Sequence, residues 1–253
     1  MATAHRLPPA PQPQLYRFSP LDLATLCLYV AIAGFFAVAG NVLAPLLRQI
    51  APSPAAASYA VNLLFYASVG ILALLAARRV VVRDLKVLAT RPWFTLLMVP
   101  AAVIAMMILT AVVVAANGQV ETSANQAGLQ ALMQQVPAWL MVPLLVVVGP
   151  FVEEYIFRHL LIGKMSRRVN IWICCALSVV LFAALHIVGQ EAVTLTALLP
   201  YLAMGATLVF VYMWTGKNVM FSYFVHAAKN LLAVVLVYAI PPELISQMQN
   251  VQA

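Results

Sequence analysis

Charged residues are scarce in this sequence. They make up 8% of its 253 residues, whereas hydrophobic residues make up 64% and the mean hydropathy is +0.98. An ordinary soluble domain carries about 25% charged residues, so this chain cannot cover itself with a water-facing surface. The same composition excludes a disordered, a collagen-like or a disulfide-rich secreted protein. The sequence therefore predicts an integral membrane protein.

Cysteine is also scarce. The three cysteines, Cys27, Cys174 and Cys175, all lie in apolar runs. An odd number with two adjacent members provides no disulfide framework. We expect all three to be small buried hydrophobic residues.

Acidic residues are half as frequent as basic ones, with 7 Asp and Glu against 14 Lys and Arg and a net charge of +7. A basic chain suggests a nucleic-acid partner only when its positive charges form one dense patch. Here they form short clusters between apolar runs, as the positive-inside rule requires of a membrane protein. We therefore expect the lipid bilayer as a partner, and no nucleic acid.

Long apolar runs are the main feature of the sequence. A membrane-spanning helix needs about 20 mostly apolar residues, and this criterion predicts an all-α, polytopic bundle of about seven spans. Their predicted bounds are 21–47, 57–77, 93–116, 137–161, 171–189, 195–215 and 218–240. The first run is too long for a signal-peptide core, so we expect it to be retained as a span, with the mature chain beginning near Met1.

The segments outside the spans are short. The Pro-rich residues 1–20 are predicted to be a flexible cytoplasmic tail. The transmembrane helical domain is predicted to span 21–240, and residues 241–253 are predicted to be a short C-terminal tail. The longest polar interruption, 117–135, has helical spacing in its second half, which we expect to lie along the membrane interface.

The distribution of basic residues predicts the orientation. Eleven of the 14 Lys and Arg fall on one side of the predicted spans, Arg48 alone falls on the other, and Arg158 and Lys229 lie within spans. By the positive-inside rule the N-terminus is then cytoplasmic and the C-terminus is outside.

Ionisable residues inside predicted spans are functional candidates, because placing a charge in lipid costs about 3 kcal/mol or more on most scales. Glu154 and Arg158 have the i,i+4 spacing of an ion pair, which would leave Glu153 as the ionisable group directed elsewhere. Burial suits such a lone carboxyl to general-base work. Pro150 with Gly149 is expected to kink the helix and admit water close to Glu153.

Three further polar residues lie in later spans. His226 and Asn230, again at i,i+4, present an imidazole and an amide to one point, where two donors stabilise a developing oxyanion. His186 taken alone is more typical of a helix-packing histidine than of a catalytic one. Lys229 lies off the face of His226 and Asn230, and we interpret it as a lining or snorkelling residue.

The three motifs together resemble a known family. Glu153-Glu154-x-x-x-Arg158, Phe182-x-x-x-His186 and His226-x-x-x-Asn230, in this order on separate spans, are similar to the motifs of the CAAX protease and bacteriocin-processing family, also called the CPBP or Abi family. Its members are intramembrane glutamic proteases related to the Ras-converting enzyme. The resemblance covers about 153–230 and places a protease core at about 137–240.

The resemblance implies a catalytic role for four residues. Glu153, assisted by His186, is expected to activate the attacking water, while His226 and Asn230 stabilise the oxyanion. Glu154 and Arg158 form a supporting pair. No cofactor is expected, although zinc held by Glu153, His186 and His226 is an alternative, since the family has often been labelled metallopeptidase and these residues could make a catalytic zinc set.

We interpret the chain as a CAAX-type intramembrane endopeptidase of a bacterial cytoplasmic membrane that opens toward the cytoplasm and acts on a membrane-associated, possibly prenylated, peptide or protein. A non-catalytic bacteriocin-immunity or partner-binding scaffold is an alternative, and a proton-relaying transporter is a third. The sequence does not indicate the oligomeric state. One conflict stands: at about 1.5 Å per residue, Glu153 and His226 lie roughly 12 Å from the cytoplasmic ends of their spans, but His186 lies near 22 Å.

Overall fold

The computed structural model describes residues 13–117, 124–187 and 194–239, which form helices and turns and contain no strand. The helices are α1 (Pro20–Ile50), α2 (Pro54–Ala89), α3 (Pro92–Asn117), α4 (Ala124–Met133), α5 (Ala138–Arg167), α6 (Ile171–Leu185), α7 (Leu195–Trp214) and α8 (Val219–Ala239). Six segments are long and apolar enough to cross a membrane, and α6 is a shorter apolar helix. The prediction of an all-α polytopic bundle of about seven spans is confirmed, and the chain is an integral membrane protein.

Short polar side chains fix where several helices begin. Ser53 accepts a hydrogen bond from the Ala56 amide at 3.1 Å before α2, and Thr194 accepts one from the Ala197 amide at 3.2 Å before α7. Side-chain oxygens at this position satisfy backbone N–H groups that have no partner within the helix. The apolar runs therefore start as helices at points that the local sequence specifies.

Helix α5 lies at the centre of the bundle. Of its most apolar stretch 61% is buried inside the protein, whereas the corresponding share of α3 is 11%. Its side chains pack into a core that includes Tyr29, Val69, Val103, Val152, Phe182, Leu208 and Phe221. A helix that is apolar all round and little buried by protein, as α3 is, faces lipid.

One end of the bundle gathers basic side chains. The Arg83 guanidinium donates to Tyr16 Oη at 3.0 Å and to the Lys217 carbonyl at 3.4 Å, while Lys217 Nζ donates to Ser166 Oγ at 3.2 Å. We call this end, with Tyr16, Arg83, Ser166 and Lys217, the basic end. The residues that the positive-inside rule groups on one side thus do lie together.

Helix α2 is longer than predicted. Its expected end near residue 77 is wrong, because the helix continues to Ala89 and carries Arg78, Arg79, Arg83 and Lys86 as helical residues. Arg and Lys are good helix formers, and their long apolar stems let a helix leave the membrane without ending.

The predicted tails lie mostly outside the described residues, which leave out 1–12 and 240–253. The last part of the N-terminal segment is packed: Tyr16 is 6% exposed and its ring lies 5.7 Å from that of His159. The helix predicted in the second half of 117–135 is present as α4. Cys27, Cys174 and Cys175 are all unpaired as expected, but Cys27 is exposed rather than buried.

Candidate active site

The central helix α5 is irregular where it approaches the candidate residues. Two stretches, Pro143–Val148 and Glu154–Lys164, have wide π-helical turns, and Gly149–Glu153 lies between them. In the first stretch hydrogen bonds run from residue i to i−5, as from the Gly149 amide to the Leu144 carbonyl. Such turns are frequent at functional sites, since they expose backbone groups that an α-helix would hide.

Pro150 leaves one such group without its helical partner. Continuing the i−5 pattern, residue 150 would donate to the Leu145 carbonyl, but proline has no N–H. The Asn230 amide fills this place by donating to the Leu145 carbonyl at 2.9 Å. The wide turn thus ties α8 to α5 next to the carboxylates.

Glu153 lies about midway along α5 and is 7% exposed. Its Oε1 accepts a hydrogen bond from Tyr66 Oη on α2 at 3.2 Å. Its Oε2 has no hydrogen-bond donor among the described residues, and it lies 3.7 Å from His226 Nε2 and 3.9 Å from His186 Nε2. One oxygen of this carboxylate is therefore held in place while the other faces two imidazoles.

Glu154 and Arg158 form the ion pair that their spacing predicts, with Arg158 Nη1 3.1 Å from Glu154 Oε1. Both side chains are fully buried. The guanidinium also donates to the Gly205 carbonyl at 3.3 Å and lies 4.6 Å above the Phe182 ring. A buried charge pair with these additional contacts is fixed in one geometry.

The ion pair also orients His226. The Nδ1 atom of this ring lies 3.1 Å from Glu154 Oε1, and a carboxylate oxygen only accepts, so Nδ1 carries a hydrogen. The opposite ring atom, Nε2, is the one directed at Glu153. Adjacent carboxylates thus contact the two nitrogens of a single imidazole.

His186 follows α6 directly and is oriented by the backbone. Its Nδ1 lies 2.8 Å from the Phe182 carbonyl, so Nδ1 is again the protonated nitrogen. In the neutral ring Nε2 is then an acceptor, and it faces Glu153. The Tyr201 ring stacks on the imidazole with a centroid distance of 4.6 Å.

The expected difference in depth between Glu153 and His186 does not hold the two side chains apart, since Glu153 Oε2 lies 3.9 Å from His186 Nε2. Counting residues from the predicted span ends fails here because α5 continues past residue 161 to Arg167 and contains π-helical turns, whose rise per residue differs from that of an α-helix. The basic side chains near residue 164 hid this extension, as they did in α2.

A cavity of about 250 Å³ adjoins Glu153. Polar and ionisable side chains in its wall come from five helices and the end of α6: Asn62, Tyr66, Gln126, Gln130, Glu153, His186, Tyr201, Lys229 and Asn230. His226 is 1% exposed, and its Nε2 lies 3.7 Å from Oε2 of Glu153, which lines the cavity. A concave site with a few convergent polar groups is the usual form of a binding or catalytic pocket.

The cavity is on the side of the bundle opposite the basic end. Its wall uses the first half of α2 at Asn62, the first half of α5 at Leu144 and the second half of α8 at Val237, whereas the basic end uses the other halves. Opening toward the cytoplasm and a cytoplasmic basic end therefore cannot both hold. The cytoplasmic opening and the positive-inside orientation both stay predictions, of which one has to give way.

Sequence reasoning missed part of this site. Tyr66 and Tyr201 belong to no motif, and α4, expected along the interface, lines the cavity with Gln126 and Gln130. The signal available for Tyr66 is a tyrosine inside an apolar run. Of the six predicted residues, Glu153, Glu154, Arg158, His186 and His226 form one contiguous cluster, and Asn230 lines the same cavity.

A metal site was the alternative use of these residues. Within the three described ranges no group of three or more His, Cys, Asp or Glu side chains is arranged to hold a metal ion. His226 Nδ1 contacts Glu154, and His186 Nδ1 contacts a carbonyl, so only their Nε2 atoms face Glu153. No step of the mechanism below passes through a metal.

Comparison with known proteins agrees with the resemblance drawn from the three motifs. Residues 135–232 match the family of Rce1-like type II CAAX prenyl endopeptidases. The chain is also 32% identical over 114 residues to the "Putative membrane peptidase YdiL" of Bacillus subtilis (strain 168). That alignment covers 45% of this chain and 43% of the relative, so the chain spans less than half of the relative's length. No solved structure matches the chain.

Proposed function

We propose that the chain is an intramembrane endopeptidase of the CAAX type in which Glu153 activates the attacking water. The match of residues 135–232 to Rce1-like endopeptidases supports the reaction class. One observation carries the proposal: Glu153 Oε2, beside a cavity, has no donor among the described residues and lies within 3.9 Å of two imidazole Nε2 atoms.

The geometry provides a place for the water. Glu153 Oε2 and the neutral His186 Nε2 are both acceptors, 3.9 Å apart. A water between them donates one hydrogen to each, since two acceptors at this distance are both within hydrogen-bond reach of one oxygen. The water is thereby oriented with a lone pair toward the cavity, where a substrate carbonyl carbon would lie.

The chemistry then needs a base, an oxyanion site and an acid. Glu153 takes a proton from the water as its oxygen forms a bond to the carbonyl carbon and the carbonyl electrons move to oxygen. When the C–N bond breaks, Glu153 returns that proton to the leaving amine. The products are a new carboxylate-bearing peptide and a peptide with a new amino terminus.

Two donors serve the oxyanion in this proposal. His226 Nε2 donates when its ring carries hydrogens on both nitrogens, and Glu154 holds the ring by its Nδ1–H. The Asn230 amide nitrogen has two hydrogens, so donating one to Leu145 leaves the second for the oxyanion. Donors fixed before the reaction in a site of low dielectric are worth several kcal/mol, about 3 for one such group.

The membrane setting is part of the proposal. We place the chain in a bacterial cytoplasmic membrane with its N-terminus and basic end in the cytoplasm. The cavity then faces the opposite side, and its substrates are membrane-associated peptides or proteins that reach Glu153 from that side or from the lipid. Prenylation of the substrate is a property to be tested.

The test is cleavage of a fluorogenic library of farnesylated CAAX-type peptides by the purified protein in detergent. Glu153→Gln keeps the size of the side chain but removes the base, so we expect cleavage to fall by about 10³-fold. Lys86→Gln, at an exposed position far from the cavity, is the matched control and is expected to cleave as the wild type does.

Three outcomes separate the alternatives. Cleavage by Glu153→Gln at the wild-type rate contradicts the proposal. Cleavage that a strong zinc chelator abolishes moves Glu153, His186 and His226 to the role of metal ligands. Absence of cleavage by the wild type, together with a biological phenotype that Glu153→Gln retains but loss of a co-purifying partner abolishes, supports the scaffold.

A further inference from the structure

Among the described residues that line the cavity, Lys229 is the one lysine or arginine. It lies on α8 between His226 and Asn230, three residues after the first and one before the second. The mechanism proposed above gives it no task. Lys229 is therefore a cation beside the candidate catalytic groups that the proposed mechanism does not explain.

The contacts of Lys229 differ from those of three other cationic side chains in the protein. Arg158 pairs with Glu154, Lys164 pairs with Asp22, and Arg83 pairs with Asp84. Lys229 has no hydrogen bond or ion pair to any residue in the described part of the chain. It shares the cavity with Glu153 but is not paired with that carboxylate.

An unpaired ammonium at membrane depth is costly unless an anion or water reaches it. Snorkelling to the basic end does not explain Lys229, since the cavity lies on the opposite side of the bundle. Pairing with Glu153 would remove the base from the reaction. An anionic group of a bound ligand neutralises the ammonium and leaves Glu153 free to act as the base.

We propose that Lys229 binds a carboxylate of the peptide substrate, and this inference rests on the proposed endopeptidase function. Residues three apart on a helix are neighbours, so the Lys229 side chain leaves α8 within one turn of His226. An extended peptide advances about 3.4 Å per residue, so a bound carboxylate lies within a few residues of the scissile bond. Two sources supply it: the C-terminal carboxylate of a substrate cut near its end, or an acidic side chain near the cut.

The test measures binding rather than turnover. The protein carries Glu153→Gln, so the peptides are not consumed, and binding is followed by fluorescence anisotropy in detergent. The probes are three fluorescent peptides that end in a farnesylated cysteine and three more residues. The first has a free C-terminal carboxylate, the second a C-terminal amide, and the third the amide with aspartate as its last residue.

We expect the free acid to bind at least about tenfold more tightly than the amide, as a charge-assisted hydrogen bond provides. Adding Lys229→Met should reduce this ratio to within about twofold, whereas Lys229→Arg should retain most of it. Lys86→Met, which removes an exposed lysine from α2, is the matched control and should keep the full ratio. If the aspartyl amide binds as tightly as the acid, the carboxylate of a side chain suffices.

Several results overturn the inference. They are equal binding of acid and amide, a preference for the acid that survives Lys229→Met, and no saturable binding of the acid at all. Failure of the proposed function is seen separately, as absence of cleavage by the protein that retains Glu153. If the protein prefers the acid through Lys229 but cleaves no peptide, carboxylate binding by Lys229 is supported and the proposed endopeptidase function is contradicted.

Discussion

Helix α5 carries two buried clusters of ionisable groups, and adjacent residues belong to different ones. Glu154 joins the cavity cluster of Glu153, Arg158, His186 and His226. Tyr155, the next residue, joins a second cluster with Ser19, Asp22 and Lys164, which we call the closed cluster. The same helix thus supports two groups of similar composition.

The carboxylates of the two clusters differ in how completely they are bonded. Asp22 accepts four hydrogen bonds, from the Ser19 amide at 2.6 Å, Ser19 Oγ at 2.8 Å, Tyr155 Oη at 2.5 Å and Lys164 Nζ at 2.6 Å. Glu153 accepts one, from Tyr66, and its second oxygen has no donor among the described residues.

This difference separates a carboxylate that holds helices together from one that is able to react. A fully bonded carboxylate joins helices and has no capacity left for a substrate or a water. A carboxylate with one anchored and one unoccupied oxygen is oriented and still able to take a proton. Asp22 and Glu153 are both buried carboxylates, so the oxygen of Glu153 that lies beside two imidazoles without a donor is what distinguishes it from Asp22.

The largest expected effect comes from breaking the ion pair in the cavity cluster. Glu154→Gln leaves the Arg158 guanidinium buried without its counter-ion, so we expect the free energy of unfolding to fall by about 3 kcal/mol or more. Peptide cleavage should fall as well, because His226 Nδ1 loses the carboxylate that holds it. Chemical unfolding in detergent measures the first effect.

The adjacent Glu153→Gln is the matched control for stability. It removes a carboxylate that forms no ion pair with an arginine or lysine among the described residues, in contrast to Glu154. Its free energy of unfolding should stay within about 1 kcal/mol of the wild type. Equal destabilisation by both variants would erase the distinction between the supporting and the reactive carboxylate.

The second effect tests the closed cluster. Asp22→Asn removes the charge that Lys164 contacts at 2.6 Å, and we expect the free energy of unfolding to fall by about 2 kcal/mol. The folded fraction should cleave peptide within about twofold of the wild-type rate. Measuring turnover per folded molecule, with the folded fraction taken from size-exclusion chromatography, checks this. A large loss of turnover with unchanged stability would place Asp22 in the reaction.

The motifs show how much of the site the sequence could predict. The i,i+4 spacing predicted the Glu154–Arg158 pair, since one helical turn fixes that distance. The resemblance to a family predicted that His186 and His226 act together with Glu153. The length of the apolar runs predicted the bundle of about seven spans, and the described residues contain six helices long and apolar enough to cross a membrane and a shorter apolar one.

What the sequence could not predict are contacts between helices and the true ends of helices. Basic residues were taken as loop signals, although they continue α2 and α5 beyond the hydrocarbon core. Tyr66 reaches Glu153 across 87 positions of sequence, and no local pattern encodes such a contact. The position of α4 over the cavity is likewise set by packing and not by its amphipathic spacing.

The smallest expected effect concerns the anchored oxygen of Glu153. Tyr66→Phe removes one donor and keeps the ring, so Glu153 loses its orientation but keeps its charge. We expect kcat to fall by about tenfold with KM nearly unchanged, since one hydrogen bond to a charged group is worth about 1.5 kcal/mol or more and acts here on the base alone. Tyr59→Phe is the matched control, because Tyr59 on the same helix donates to the Leu140 carbonyl at 3.3 Å and does not line the cavity. Both variants lose one tyrosine hydroxyl from α2. A loss of kcat in Tyr66→Phe alone would show that the Tyr66 hydroxyl orients Glu153 and does not merely support the packing of α2. An equal loss in both, or a change in KM alone, would mean that the carboxylate is oriented by the histidines instead.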